Sequence, residues 1–266
     1  DGRQASLTCA TSGGKVLIHN PHDRAMDHQP AVPGAQKGIR FLNINKRITA
    51  LRAGNLAATG GEAADVLLIG TPSNLMAYDV EKNHDVFYKD VPDGVSAVIV
   101  GKGPMSEEPL AFVGGNYSIQ GFNREGAESF WTVTGDNVGA LAFCDMDGDG
   151  VAELVVGSDD FEVRVFKQEE VVLEITEADR VTHLHPFGGG GGCAGNGKPA
   201  TRWGYGLANG TVGVYERGKR VWRAKTRHAV TAMASFDIDG DGVEELICGF
   251  DSGSLVARNA ATGEVR

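Results

Sequence analysis

No run of apolar residues in this chain approaches the roughly 18 needed to span a bilayer, and its start, Asp1-Gly2-Arg3-Gln4, has no apolar signal core. The sequence therefore reads as soluble. An initiating Met is also missing, and the chain begins almost directly on a strand pattern, so a fragment of a longer polypeptide is expected. Basic charge is in deficit: 25 Lys and Arg face 35 Asp and Glu, a net charge of −10 that repels phosphate backbones and anionic lipid at long range. Nucleic acid is not an expected partner. Cys9, Cys144, Cys193 and Cys248 form no CxxC pair, and three of them sit inside apolar runs, where a reduced thiol behaves as a small hydrophobe. That usage points to a reducing, intracellular setting.

Long helix-period segments are absent as well. Gly 38 outnumbers Pro 9, and Val, Leu, Phe and Thr fall in short runs, a pattern of many short strands joined by tight turns. Six times, an apolar run ends on a small residue and is followed, after a polar turn, by an alternating run. The small residues are Ala10, Gly70, Gly114, Gly157, Gly206 and Gly249, separated by 60, 44, 43, 49 and 43 residues. Each unit adds an incoming run such as Val138 to Phe143 and a closing run such as Phe130-Trp131 or Val221-Trp222. Four strands at a period near 44 describe a propeller blade, which buries its sheet faces against its neighbours. A two-sheet sandwich would not need that period.

The expected fold is all-β: a β-propeller of four-stranded blades forming a single domain over residues 1–266, incomplete at both ends of this chain. Six blades remain open, but a seventh, completed by sequence missing from both ends, better explains the truncated first and last repeats. Two irregular spacings mark loop insertions. Residues 19–38, polar and with three prolines, read as a surface loop between blades, and residues 188–199, opening on five consecutive glycines, read as a flexible loop.

The sharpest local signal is a pair of acidic turns. In the first, Asp145, Asp147 and Asp149 alternate with Met146 and Gly148, and Gly150 permits a sharp bend. Those carboxylates, the Val151 carbonyl and Glu153 occupy positions one, three, five, seven and nine of a loop able to surround a hard cation such as calcium. The second copy supplies Asp237, Asp239, Asp241, Val243 and Glu245. Glu at position nine is longer than the usual Asp, and position twelve is the apolar Val156. Asp and Gly are also what a solvated hairpin turn prefers for its own hydrogen bonds. A calcium here would brace a blade, so its expected role is structural, and no cofactor is required.

Other constellations give less. His19, His22 and His28 share a loop with no cysteine, and His183 and His185 alternate on one strand face, which suits packing against a neighbouring blade. Gly195-Asn196-Gly197-Lys198 runs into Pro199 instead of the Ser or Thr of a phosphate-binding loop. Neither a nucleophile elbow nor HExxH is present, and no catalytic residues are expected.

Several stretches carry a resemblance beyond architecture: Gly14 to His22, Asn74 to Val80, Gln120 to Gly126, Phe130 to Val138 and Asn209 to Tyr215. They resemble, in order, the amino-terminal propeller of the Bardet-Biedl syndrome 2 family, with departures at 24–38 and 188–199. The resemblance implies a seven-bladed propeller and a non-catalytic scaffold subunit of the BBSome, the coat complex that carries membrane proteins to and from cilia. It also implies partners among the sister subunits, notably the Bardet-Biedl syndrome 7 and 9 proteins. The implied locations are cytoplasm, cilium, basal body and ciliary membrane coat, with membrane association only through the complex. A calcium-dependent adhesion or lectin-like propeller is the alternative that the acidic turns suggest, and an enzyme using the propeller channel is a further one.

Overall fold

The computed structural model describes residues 6–20, 38–57, 65–103, 106, 108–188 and 199–266. Its strands form six antiparallel sheets, each an up-and-down meander in chain order. Sheet one holds β1 (Leu7–Ala10), β2 (Lys15–His19) and β3 (Ile39–Asn43). Sheet two holds β4 (Ala50–Asn55), β5 (Asp65–Gly70), β6 (Asn74–Asp79) and β7 (His84–Asp90). Sheet three holds β8 (Ala97–Gly101), β9 (Leu110–Gly114), β10 (Ser118–Phe122) and β11 (Glu128–Val133). Sheet four holds β12 (Val138–Cys144), β13 (Glu153–Ser158), β14 (Glu162–Lys167) and β15 (Glu170–Thr176). Sheet five holds β16 (Val181–Pro186), β17 (Arg202–Leu207), β18 (Thr211–Glu216) and β19 (Lys219–Lys225). Sheet six holds β20 (Val230–Phe236), β21 (Glu245–Phe250) and β22 (Leu255–Asn259).

The first strands β4, β8, β12, β16 and β20 pack against one another in succession and so line a common axis. Second and third strands of sheets two to five are largely buried along both faces, because each is covered by a blade on either side; β6 and β13 are buried throughout. Outer strands such as β15 and β19 alternate toward solvent. Five apolar cores join neighbouring sheets, one to two through five to six, built on residues such as Val16 with Leu67, Leu68 with Val113, Phe143 with Phe112, Val155 with Tyr205, and Val214 with Leu246.

The anchoring glycines acquire a physical reason. A Cβ on Gly70, Gly114 or Gly157 would lie 2.3 Å from a methyl of Val95, Val138 or Val181, and one on Gly206 would lie 3.3 Å from Val230. Each of these valines enters the next sheet, so a missing side chain on one blade is the seat of the following blade. Gly249 has no such neighbour: its nearest contact would be Thr231 of its own sheet at 3.6 Å.

The architecture is an all-β propeller, and the count is six sheets where seven blades were expected. Among the described residues the strands fall into four sheets of four and two of three. Among the described residues, no core joins sheet six to sheet one. The outward faces instead show Leu7 and Phe41 at one end, 61 and 68 % exposed, and Phe236 and Leu255 at the other, 65 and 74 % exposed. Sheet one begins at the second-strand position, since Ala10 aligns with the anchoring glycines, and the fourth position of sheet six is only begun by Val265, bridged to Arg258.

The first insertion leaves from between β2 and β3, two paired strands of sheet one, with the Asn20 amide donating to the Gly38 carbonyl at 2.9 Å. It lies inside a blade, whereas the polar composition suggested a link between blades. Residues 21–37 of that segment, with His22 and His28, lie outside the described residues, as do 189–198 of the glycine-rich segment with Cys193. The latter connects β16 to β17, the place that the acidic turns occupy in sheets four and six. Among the described residues no helix is long and apolar enough to cross a membrane.

Candidate cation-binding hairpins

Both acidic turns connect the first to the second strand of a sheet, and they fold identically. Asp145 accepts from the Gly148 amide at 2.6 Å and the Gly150 amide at 3.0 Å; Asp237 accepts from Gly240 at 2.7 Å and Gly242 at 3.0 Å. Asp147 and Asp149 each accept from the amide two residues on, as do Asp239 and Asp241. The buried Glu153 takes the Met146 amide at 2.7 Å, and Glu245 takes that of Ile238 at 3.0 Å. Gly148, Gly150, Gly240 and Gly242 all have φ between 74 and 87°, a left-handed conformation that a side chain would strain. One oxygen of nearly every carboxylate is thus committed to the turn itself.

The oxygens left over separate the two copies. In the first, Lys167 Nζ lies 2.5 Å from Asp147 Oδ2, 2.8 Å from Asp149 Oδ2 and 3.4 Å from the buried Glu153 Oε1. The ammonium sits where a bound cation would. Hydrogen bonds from Lys167, then from the Val151 amide, hold the Asp149 carboxyl below its ordinary value, while bonds to Asp147 and Asp149 push the Lys167 ammonium well up. Burial raises the Glu153 carboxyl, against the Met146 amide and the Lys167 charge.

In the second copy the residue across from Glu245 is Asn259, whose amide approaches Glu245 Oε1 at 3.4 Å. Arg266 reaches Asp239 and Asp241 only at 3.6 Å. Two groups of carboxylates come within reach of a single ion, Asp145, Asp147 and Glu153, and Asp237, Asp239 and Glu245, with ligand atoms inside 4.8 Å of one another. Asp149 and Asp241 are not part of those groups. Lys167 and Asn259 were not legible as site residues: they lie on a third strand, and only its register brings them opposite the glutamates.

The other marked residues take structural places. His185 Nε2 pairs with Ser235 Oγ at 3.0 Å, and the backbone of Thr231 hydrogen-bonds His183, so both rings pack on sheet six. Cys144 and Cys248 are buried free thiols, pushed up by burial, Cys248 to about 11, and Cys9 is exposed. Trp203 is buried and stacks on Tyr215 at 4.6 Å, Trp222 donates to the Ala260 carbonyl, and Trp131 is 54 % exposed.

Fold and hairpins together define a β-propeller with two acidic turns of one design. Among solved structures, the chain resembles the BBS1 amino-terminal domain crystallised in complex with ARL6, with a TM-score of 0.68 at 16% identity, over 97% of this chain and 76% of that one. The WD40 propeller of Doa1 gives a TM-score of 0.66 at 8% identity, over 98 and 77%. These likenesses establish the fold.

Sequence comparison reaches the family. Residues 1–101 match the family described as ciliary BBSome complex subunit 2, amino-terminal, and residues 140–258 match its middle region. The chain belongs to this family. It is 47% identical to BBSome complex member BBS2 of Homo sapiens over 269 residues and to that of Danio rerio over 268, covering all of this chain. The Caenorhabditis elegans protein bbs-2 is 38% identical over 224 residues, 84% of this chain and 29% of that one. The chain spans only 35% of the human protein's length.

Proposed function

We propose that this chain is the propeller of a non-catalytic scaffold subunit of the BBSome, supplying protein-binding surface in the coat that moves membrane proteins into and out of cilia. The observation that carries the reading is identity of 47% across its whole length to proteins described as BBSome complex members. The finer parts of the proposal are contact with the sister subunits, notably the Bardet-Biedl syndrome 7 and 9 proteins, and residence at the basal body, the cilium and its membrane coat. Rigid blades locked by five apolar cores suit a scaffold, because a binding surface built on fixed elements loses little entropy on association.

The acidic turns enter as braces. Calcium is proposed at Asp237, Asp239, Asp241, Val243 and Glu245, where Arg266 comes no nearer than 3.6 Å to Asp239 and Asp241 and, among the described residues, no side-chain ammonium is seated among the free oxygens. At Asp145, Asp147, Asp149, Val151 and Glu153, Lys167 already supplies the positive charge, and calcium must displace it.

The test expresses the intact parent protein in ciliated cells with and without residues 1–266 and identifies co-purifying proteins by mass spectrometry. The scaffold reading expects the intact protein to bring down the other BBSome subunits and the truncated one to lose some of them. Full recovery of the complex and normal cargo entry without the propeller would refute it.

A further inference from the structure

Positive charge is scarce in this chain, yet it is gathered on one outer strand. From Arg217 to Phe236 there is no Asp or Glu, and Arg217, Lys219, Arg220, Arg223, Lys225 and Arg227 stand within residues 217–227. Four of them belong to β19, Lys219–Lys225, the outermost strand of sheet five. The corresponding strands differ: β7 mixes His84, Asp85, Lys89 and Asp90, β11 carries only Glu128, and β15 carries Glu170 and Glu174. Charge therefore separates this edge from the other three.

β19 pairs with β18 on one side only, so its other edge leaves backbone N–H and C=O groups unpaired among the described residues. Lys219 lies across from Glu216, whereas Arg223 and Lys225 lie across from Gly213 and Thr211. Glu216 and Gly213 are an odd number of positions apart on β18, so Lys219 and Arg223 take opposite faces of the sheet. Both faces of the edge are thus positive. Arg220 is engaged within the fold, bonded to Tyr215 Oη at 2.8 Å and to the buried Glu177 at 3.0 Å, and Lys225 donates to the Asn209 carbonyl at 2.9 Å. Lys219, Arg223 and Arg227 are exposed, and among the described residues their side chains make no hydrogen bond or ion pair. The strand that carries them is itself held: Trp222 donates to the Ala260 carbonyl at 2.9 Å, and Trp222 and Ala224 pack on the core between sheets five and six.

We propose that β19 is a docking edge for an acidic, extended segment of a partner protein, which adds to sheet five as a fifth strand. Backbone hydrogen bonds along the free edge hold such a segment, and carboxylates at its alternate positions meet Arg223 on one face and Lys219 on the other. Lysine on a sheet edge ordinarily deters pairing with like strands. Four cations without an acid also select a strand of opposite charge. The cations follow one line, at about 3.4 Å per residue, and alternate between two faces, which matches an extended chain and not the plane of an anionic membrane. The proposal rests on the scaffold reading in taking the partner to be a protein.

The experiment titrates the intact parent protein with a fluorescent peptide of alternating Glu and Thr as long as β19, with its Gln-Thr counterpart, and with phosphatidylserine vesicles. Expected are binding of the Glu-Thr peptide that weakens as salt rises, ~10-fold weaker binding of the Gln-Thr peptide, and slowed hydrogen exchange in β19. Lys219→Glu with Arg223→Glu is expected to cost ~10-fold or more in affinity for the Glu-Thr peptide and to confer binding of a Lys-Thr peptide. Should that reversal unfold the protein, Lys219→Gln with Arg223→Gln weakens the Glu-Thr peptide several-fold. No binding of the Glu-Thr peptide, equal binding of its Gln-Thr counterpart, unchanged exchange in β19 or unaltered affinity in the variants overturns the docking edge. Binding of the vesicles without the peptide overturns it too, by assigning the cations to a membrane. The scaffold reading is judged separately, by recovery of the BBSome subunits with the parent protein, and survives a failed peptide titration.

Discussion

Lys167 stands one register step beyond the Leu154–Phe166 pair, across from Glu153, and Asn259 stands across from Glu245. The backbone bonds of the two hairpins are otherwise alike, so this one position separates a turn with an ammonium seated among its free oxygens from a turn that Arg266 reaches only at 3.6 Å. Exchanging the residues should exchange the behaviour. Lys167→Asn leaves the buried Glu153 without its nearest positive charge and is expected to lower the melting temperature in chelator. Added calcium should restore more of the melting temperature in that variant than it adds to the parent chain, while Asn259→Lys should abolish the response of the second hairpin. Equal calcium responses in all three proteins would remove the cation reading of both turns. The pH dependence has a defined sign. Asp149 is held below its ordinary 3.8 by Lys167, so its stabilisation is present above that value and is lost as pH falls below it. Lys167 is held above its ordinary 10.5, so its stabilisation is full below that value and lost as pH climbs through the higher folded one. Glu153, raised by burial, works against the first effect, favouring the fold when protonated. The stability gap between parent and Lys167→Asn is therefore widest across the neutral range and closes at both ends, as thermal scans across pH would show.

At the scale of the strand, the anchoring glycine of sheets two to five is a socket for the next blade. Gly157→Ala would place a methyl 2.3 Å from Val181 and is expected to cost about 1–3 kcal/mol by overpacking. Gly249→Ala, with nothing nearer than 3.6 Å, should change stability by no more than about 0.5 kcal/mol. Urea unfolding of the two variants decides; equal costs would show that the glycines serve strand conformation and not blade seating. This contrast also marks how far the sequence could be read. The anchors Gly70 to Gly249 and the closing runs at Phe130-Trp131 and Val221-Trp222 announced blades, because period and apolar alternation are local properties. The acidic turns were legible for the same reason, each being fixed by bonds within a few residues. What escaped depends on neighbours distant in sequence: the valines that fill the sockets and Lys167 one strand over. The seventh blade was inferred from incomplete first and last repeats, and incomplete repeats do not supply strands.

At the scale of the whole molecule, the described residues form a row of six sheets joined by five cores, and that arrangement sets where it opens. In a closed ring every blade is gripped on two faces. Here, sheets three and four share cores with neighbours on both sides, whereas sheets one and six are each gripped on one. Stability in stacked architectures is approximately a sum of intrinsic unit terms and nearest-neighbour interfaces, so the end units open at lower free energy than the middle. Sheets one and six also carry only three strands, and Phe41, Phe236 and Leu255 remain exposed on their free faces. Amide hydrogen exchange of this chain should therefore show a gradient. Protection is expected to be greatest in β9, β10, β13 and β14, lower in β21, and lowest in β1 to β3, where few residues are buried. Each core involves several buried side chains worth about 1.5–3 kcal/mol apiece, so the loss of one interface is large enough to resolve in exchange rates. Uniform protection from β1 to β22 would mean that the two end sheets are gripped as firmly as the rest and that the ring closes in solution. A gradient would instead identify the two end faces as the places where adjoining protein structure adds most to the stability of this propeller.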